Sequence, residues 1–390
     1  MHSLGDVLSE GKTGGSIHIF WVAGMSCDGC SIALTGAANP SIERLLRGAL
    51  PGLPRIVLHH PMLAFDSGSD FLEPFRRAAR GELDDPYLLV VEGSATDDSR
   101  AGDGYWSALG SGSPTDATTG VVDGVRQPLR SMDWVRALAP GAVAAIAVGT
   151  CAAWGGVPAA AGNPMGAGSL ADLLGPEYRS GSGLPVIAVP GCAPVGDNIV
   201  ETIAAVLLHL TDLGPEPELD ELGRPAWLFD ETVHRRCVRA GFYEEGVFAR
   251  AAGEHGCLVE LGCWGAVVQC NITSRGAISG MGGCMNAGGA CNGCTMPGFP
   301  DAFSHAIEPV SAAGGLQLLP VVQTSLAQPA MAEPASPTVW TFTEEPHSRA
   351  AARPGEAAAA VWRFWQQRGP NETAMAPPAS EVHERTAGTR

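Results

Sequence analysis

Positive charge is scarce in this 390-residue chain: 24 Lys and Arg stand against 41 Asp and Glu, a formal balance of −17. Nucleic-acid binding needs clustered cations that displace counterions from phosphates. No basic groove or run is evident, so nucleic acid is excluded as a partner. Long apolar runs are missing as well. A membrane-spanning helix needs about 20 consecutive apolar residues, and no stretch approaches that length. The opening "MHSLGDVLSEGKTGG" has no basic segment followed by an apolar core and no twin-arginine pair. The expectation is a cytoplasmic, soluble protein, with peripheral attachment at the cytoplasmic face of a membrane as the alternative. Internal repeats are absent too. A disulfide framework does not suit a reducing compartment, so the eleven cysteines point to metal.

With 45% hydrophobic and 17% charged residues the chain is globular, and its length suffices for two domains. Five apolar runs punctuate the first half: "SIHIFWVAG" (16–24), "RIVLHH" (55–60), "YLLVVEGS" (87–94), "AVAAIAVGT" (142–150) and "LPVIAVPG" (184–191). Near-continuous hydrophobicity marks strands buried on both faces, hence a parallel sheet covered by helices. Helices are expected at about 31–48, 70–80, 131–138, 168–174 and 196–212, the first interrupted by Pro40. The stretch 95–124, rich in Gly, Ser, Thr and Asp, reads as a surface loop.

Near 214, "GPEPELDELGRP" marks a boundary. Beyond it strand-like runs nearly vanish while Gly and Cys dominate, and bound clusters can organise such a region. The expected division is a flexible N-terminus (1–15), a doubly wound α/β domain (16–213), an irregular metal-organised domain (214–302) and an Ala/Pro-rich extension (303–390). That extension holds one helix, "AAAAVWRFWQQR" (357–368), for packing or for contact between subunits, and a disordered tail.

By context the cysteines fall into three groups. Cys27, Cys30, Cys151 and Cys192 each follow an expected strand, at the edge where open α/β sheets form their ligand crevice. A second group is "HRRC" (His234 to Cys237) with Cys257 and Cys263 of "CLVELGC"; a third is Cys270, Cys284, Cys291 and Cys294. Eleven cysteines and one histidine make three four-ligand sites. Taken singly, a buried Cys is a small hydrophobe and His234 a surface or capping residue; the joint pattern argues otherwise. Three structural zinc sites fit the same count. Zinc ribbons, however, pair two C-x-x-C knuckles, whereas Cys151 and Cys192 stand alone, as iron–sulfur ligands commonly do.

At "CDGCSIAL", "GTCAAWGGVPAAAGNP", "VPGCAPVGDNIV", "GRPAWLFDETVHRRC", "CLVELGCWG" and "CNGCTMPGFPD" the chain resembles the small subunit of nickel–iron hydrogenases, over roughly residues 16–302. The soluble, oxygen-resistant actinobacterial type is the nearer match. The resemblance implies a flavodoxin-like domain followed by a cluster-organised one. It also implies that electrons from H₂ oxidation, released at a nickel–iron centre in a separate large subunit, pass through proximal, medial and distal clusters. Cys27, Cys30, Cys151 and Cys192 match the proximal 4Fe-4S ligands, and His234, Cys237, Cys257 and Cys263 the distal 4Fe-4S ligands. Cys270, Cys291 and Cys294 match three medial ligands.

Three departures from the family pattern matter. Cys284 replaces a usual proline that goes with a medial 3Fe-4S cluster, so a medial 4Fe-4S cluster is expected, with 3Fe-4S at the medial or proximal site as the alternative. Trp264 replaces a lysine after "LGC", leaving the distal rim less charged. Asp28 lies inside the first C-x-x-C, either accepting backbone N–H bonds in a tight turn, or ligating proximal iron or tuning it by its charge.

The implied partners are the large subunit, further heterodimers in a higher oligomer, and an acceptor such as a quinone or cytochrome. The rival readings are a quinone-reductase subunit, which shares the proximal set but lacks the other two, a zinc scaffold, and a freestanding FMN carrier.

Overall fold

A computed structural model describes residues 15–48, 52–251 and 253–303. The helix expected at 357–368, the tail and most of the N-terminal segment lie outside the described residues.

Five strands form one parallel sheet: β1 (Ser16–Ala23), β2 (Arg55–His59), β3 (Tyr87–Glu92), β4 (Ala144–Val148) and β5 (Ile187–Val189). Their order is β2-β1-β3-β4-β5, the flavodoxin-like winding with its switch point between β1 and β3. Register sets Ile19 beside Leu58 on one side and Leu88 on the other. Every residue of β3 and β4 is buried, which is why their sequences run apolar without alternation.

The pleat sends Ile17, Ile19 and Trp21 to one face and Phe20 and Val22 to the other. The first face packs on α1 (Gly29–Thr35), α2 (Ile42–Leu46) and the long helix α6 (Gly196–Leu210); the second packs on α3 (Gly68–Ala79) and α4 (Ser131–Leu138). A further short helix, α5 (Gly149–Trp154), opens directly after β4.

One expectation is met and one corrected. The interruption expected at Pro40 divides 31–48 into two short helices: α1 ends at Thr35, the chain turns through Asn39 and Pro40, and Ser41 caps α2 with its side chain. The stretch 95–124 is not simply a loop. Ala108–Ser111 pairs antiparallel with Pro128–Arg130, and Val121–Val122 pairs with Val125–Arg126 around Asp123 and Gly124, both at positive φ, as a two-residue Asp-Gly hairpin requires.

Beyond residue 213 no strand occurs among the described residues, only single bridges such as Thr232 with Gln269 and Phe248 with Cys257. The buried apolar cluster shrinks to Val233, Val268, Met285 and Cys291. Arg224 ties separate segments of this region together. Its buried guanidinium donates to Asp220 at 2.7 Å, to Gln269 and to the Thr295 carbonyl, and lies 4.9 Å from the Phe229 ring centroid.

Candidate metal centres

The first thiol set gathers at the carboxyl edge of the sheet. Cys27 and Cys30 follow β1, Cys151 stands in the first turn of α5, and Cys192 follows β5. Asp28, left-handed at φ 60°, turns the chain into α1. Burial pushes the Cys30 thiol up, and the nearby charges of Glu92, Cys151, Cys27 and Cys192 push it further. Backbone comes unusually close to these sulfurs: a Cβ on Gly149 would sit 2.3 Å from the Cys30 Sγ, and one on Gly156 2.8 Å from the Cys151 Sγ. Only glycine leaves that room, and both positions also have positive φ.

Glu92 fixes the C-x-x-C turn from beneath. It is fully buried at the end of β3. One carboxylate oxygen accepts from Ser26 Oγ at 3.0 Å, the Cys30 N–H at 3.1 Å and the Ser31 N–H at 3.3 Å. The other accepts from Trp21 Nε1 at 3.0 Å and Ser31 Oγ at 2.5 Å. Ser31 Oγ lies 3.0 Å from His60 Nε2, and His60 Nδ1 accepts the Met62 N–H, which leaves the imidazole hydrogen on Nε2. Burial holds His60 down to about 4, with Asp28 acting the other way. The Asp28 carboxylate makes no capping bond; its backbone N–H donates to Ser26 Oγ instead, so the tight-turn role expected for its side chain is not what forms.

The second set lines one cavity: His234, Cys237, Cys257 and Cys263. His234 sits on a single 3₁₀ turn, Val233–Arg236, rather than a loop, with Tyr243 edge-on to its ring at 4.9 Å. The third set, Cys270, Cys284, Cys291 and Cys294, lines another cavity beside Phe229 and Val268. Burial is the main cause raising each of its thiols, Cys291 to about 12 and Cys294 to about 11, with neighbouring cysteine charges adding to it. Cys263 joins the two sets, its Sγ accepting the Cys291 N–H at 3.3 Å.

All eleven cysteines are free. Among the described residues no group of three or more His, Cys, Asp or Glu is placed to hold a single metal ion.

Sequence reasoning missed Glu92, Thr150 and Arg224. Only Glu92 carried a signal: an acid closing an otherwise wholly apolar strand at the switch point. Thr150 joins the first set to the third, accepting the Gly191 N–H at 2.9 Å and donating to the Cys294 carbonyl.

A flavodoxin-order sheet whose crevice presents thiols, followed by a thiol-rich irregular region, defines a multi-centre electron carrier. Comparison with known proteins narrows the class. Residues 27–206 match the family described as NADH ubiquinone oxidoreductase, 20 Kd subunit, and residues 229–307 match the C-terminal family of the NiFe/NiFeSe hydrogenase small subunit. The periplasmic [NiFeSe] hydrogenase small subunit of Desulfomicrobium baculatum is 32% identical over 288 residues, 73% of this chain and 85% of its own length. The hydrogenase-2 small chain of Escherichia coli K12 is 31% identical over 289 residues, 72% of this chain and 67% of its own. An actinobacterial-type NiFe-hydrogenase structure from Ralstonia eutropha H16 aligns with a TM-score of 0.70 and 42% identity, over 85% of this chain and 96% of that one.

This chain belongs to the nickel–iron hydrogenase small subunits. It is the electron-transfer subunit of a heterodimeric hydrogenase and pairs with a large catalytic subunit, and its family implies iron–sulfur clusters. No helix among the described residues is long and apolar enough to cross a membrane.

Proposed function

We propose that the three thiol sets are the proximal, medial and distal stations of the electron relay, each holding a 4Fe-4S cluster. Cys27, Cys30, Cys151 and Cys192 hold the proximal one; Cys270, Cys284, Cys291 and Cys294 the medial; His234, Cys237, Cys257 and Cys263 the distal. When bound, such clusters take up and release single electrons at potentials set by ligand charge, hydrogen bonds and exposure.

The observation that carries this reading is that each set, scattered in sequence, gathers around one space. The fit is chemical as well: crowded thiols repel one another as thiolates, and cations between them offset that repulsion. Gly149 and Gly156 leave room that a Cβ would fill.

The chain's residues hold, space and shield these stations. Glu92 orients the Cys30 amide. Asp28, beside Cys27 and free of any capping role, is the fourth proximal ligand in place of one thiolate, or a negative charge that lowers the proximal potential. Cys27 and Cys192 are exposed in the isolated chain. Ile32, Met62 and Phe65 are exposed on segments that leave the same edge of the sheet, and we assign this face to the large subunit. His234, partly exposed, is the exit toward the acceptor. A cytoplasmic location belongs to the same proposal and rests on the reducing conditions that eleven thiols require.

Cys284 supplies the decisive test. Three four-iron stations amount to about twelve iron and twelve sulfide per chain, without a strong oxidised three-iron signal in electron paramagnetic resonance. Cys284→Pro should create that signal and raise the medial potential. A three-iron signal already present in the unaltered protein, and unchanged by Cys284→Pro, would remove Cys284 from the ligand set. Zinc without iron in anaerobically loaded protein would sink the reading as a whole.

A further inference from the structure

Hydrogen bonds to backbone groups join one thiol set to the next. At the first junction Thr150, adjacent to Cys151 and only 2% exposed, makes a reciprocal pair with Gly191: its N–H donates to the Gly191 carbonyl at 3.1 Å, and its Oγ1 accepts the Gly191 N–H at 2.9 Å. The same hydroxyl donates its hydrogen to the carbonyl of Cys294. One side chain thus pins the loops carrying Cys151, Cys192 and Cys294 to a common point. Cys192 follows Gly191 directly, so the same clamp fixes the Cys192 loop against Cys294. The second junction has the same form without a side-chain clamp. There the Cys291 N–H donates to the Cys263 Sγ at 3.3 Å, and the Trp264 N–H returns a bond to the Cys291 carbonyl at 2.9 Å.

We propose that successive stations are coupled through two hydrogen-bonded junctions, one running from Gly191 through the Thr150 hydroxyl to the Cys294 carbonyl and one from the Cys291 N–H to the Cys263 Sγ, and that Thr150 is the positioning residue that holds the first. This rests on the ligand assignment above. Electronic coupling falls steeply with distance and with breaks between bonded atoms. At the second junction a hydrogen bond from one ligand's amide to the next station's ligand sulfur shortens the through-space gap to a single contact, and at the first the Thr150 hydroxyl bridges the gap with two. No bond forms or breaks and no proton moves at these contacts; the electron lost on one side is the electron gained on the other. Thr150 needs its hydroxyl for this, because only a group that both accepts from Gly191 and donates to Cys294 can hold the two loops together.

The test is Thr150→Val, which keeps the branched shape and removes the hydroxyl, with Thr150→Ser restoring it, both in the intact heterodimer. Iron content is measured first; then the splitting caused by spin–spin interaction between the reduced proximal and medial centres is read by electron paramagnetic resonance. The expected result is full iron in Thr150→Val with the splitting reduced severalfold, and full iron with the splitting restored in Thr150→Ser. Unaltered splitting in Thr150→Val overturns the inference, as does Thr150→Ser behaving like Thr150→Val. Should Thr150→Val lose iron, Thr150→Ser decides, supporting the inference if its splitting matches the unaltered protein and overturning it if the splitting collapses. If the unaltered heterodimer shows iron at only one of the two thiol sets, the ligand assignment has failed, which is a distinguishable outcome.

Discussion

The sheet domain and the region after residue 213 fold by different means. Around β1–β5 two layers of Ile, Val, Leu, Phe, Trp and Ala close on both faces of the sheet, and burial of that area is the main force for folding. In the second region the buried apolar cluster is Val233, Val268, Met285 and Cys291, and much of what packs on it is cysteine: Cys237, Cys263, Cys270 and Cys284. A core built of thiols is weak glue by itself, since each is small and its thiolate repels its neighbours. The contrast teaches that one half of this protein is held by solvent exclusion, and the other needs what its thiols bind.

The largest effect expected from that contrast follows iron removal. Anaerobic chelation of the intact heterodimer should strip hydrogen-exchange protection from residues 229–303, while β1, β3 and β4 keep theirs, because ligand binding there is folding free energy. Equal loss in both regions would break the comparison. Next comes the converse change. Phe75 is fully buried against Phe20, Phe71 and Trp134. Phe75→Ala should cost about 3–5 kcal/mol, read as a fall in the denaturant midpoint of the sheet transition. The iron content of the folded protein should be unchanged; a shift below about 1 kcal/mol would mean the cavity collapses and the layer is less closely packed than it looks.

How much of this is legible in the sequence tracks the same division. The five strands can be read because burial on both faces writes continuous apolar runs, and the three cysteine groups because the thiols sit where strands end or glycines cluster. The hairpin at Asp123 and Gly124 is written there too but masked: "VVDGVR" carries a two-residue turn signal inside a stretch whose composition suggests a loop. Pairing of Ala108–Ser111 with Pro128–Arg130 leaves little trace, since most of those residues are at least partly exposed. Thr150 and Arg224 are invisible for another reason. Their roles come from hydrogen bonds to groups as far as 144 and 71 residues away, and no local periodicity records such a bond.

Arg224 and the partners of its guanidinium all lie after residue 213, so its loss tests the second region alone. Arg224→Met removes the bonds to Asp220, Gln269 and Thr295, leaving Gln269 and the partly exposed Asp220 to find water. A cost of roughly 1–3 kcal/mol is expected. More telling would be the shape of the transition: iron release and loss of the sheet, followed by absorbance and far-ultraviolet circular dichroism, should separate along denaturant. If they stay superimposed, the two regions unfold as one and the comparison fails.

The smallest effect concerns pH and is confined to the sheet domain. His59 on β2 is stacked against both His18 and Phe20, with its Nε2 2.7 Å from His18 Nδ1, while His18 Nε2 faces Asp85 at 3.6 Å. Burial first, and the His18 charge second, hold His59 down to about 4 from an ordinary 6.5. Between those values the unfolded chain binds a proton that the folded chain refuses. The stability His59 contributes is therefore complete above pH 6.5, drains as pH falls toward 4, and changes no further below it. Because the ring keeps a solvent-facing edge, we expect the loss to be about 1 kcal/mol rather than the full shift. His59→Phe, which keeps the stacking, should flatten the stability profile of the sheet transition across that window and leave iron retention unchanged. A slope that survives the substitution would move the acid sensitivity to His18 and Asp85, or out of the sheet altogether and onto the thiol-held region.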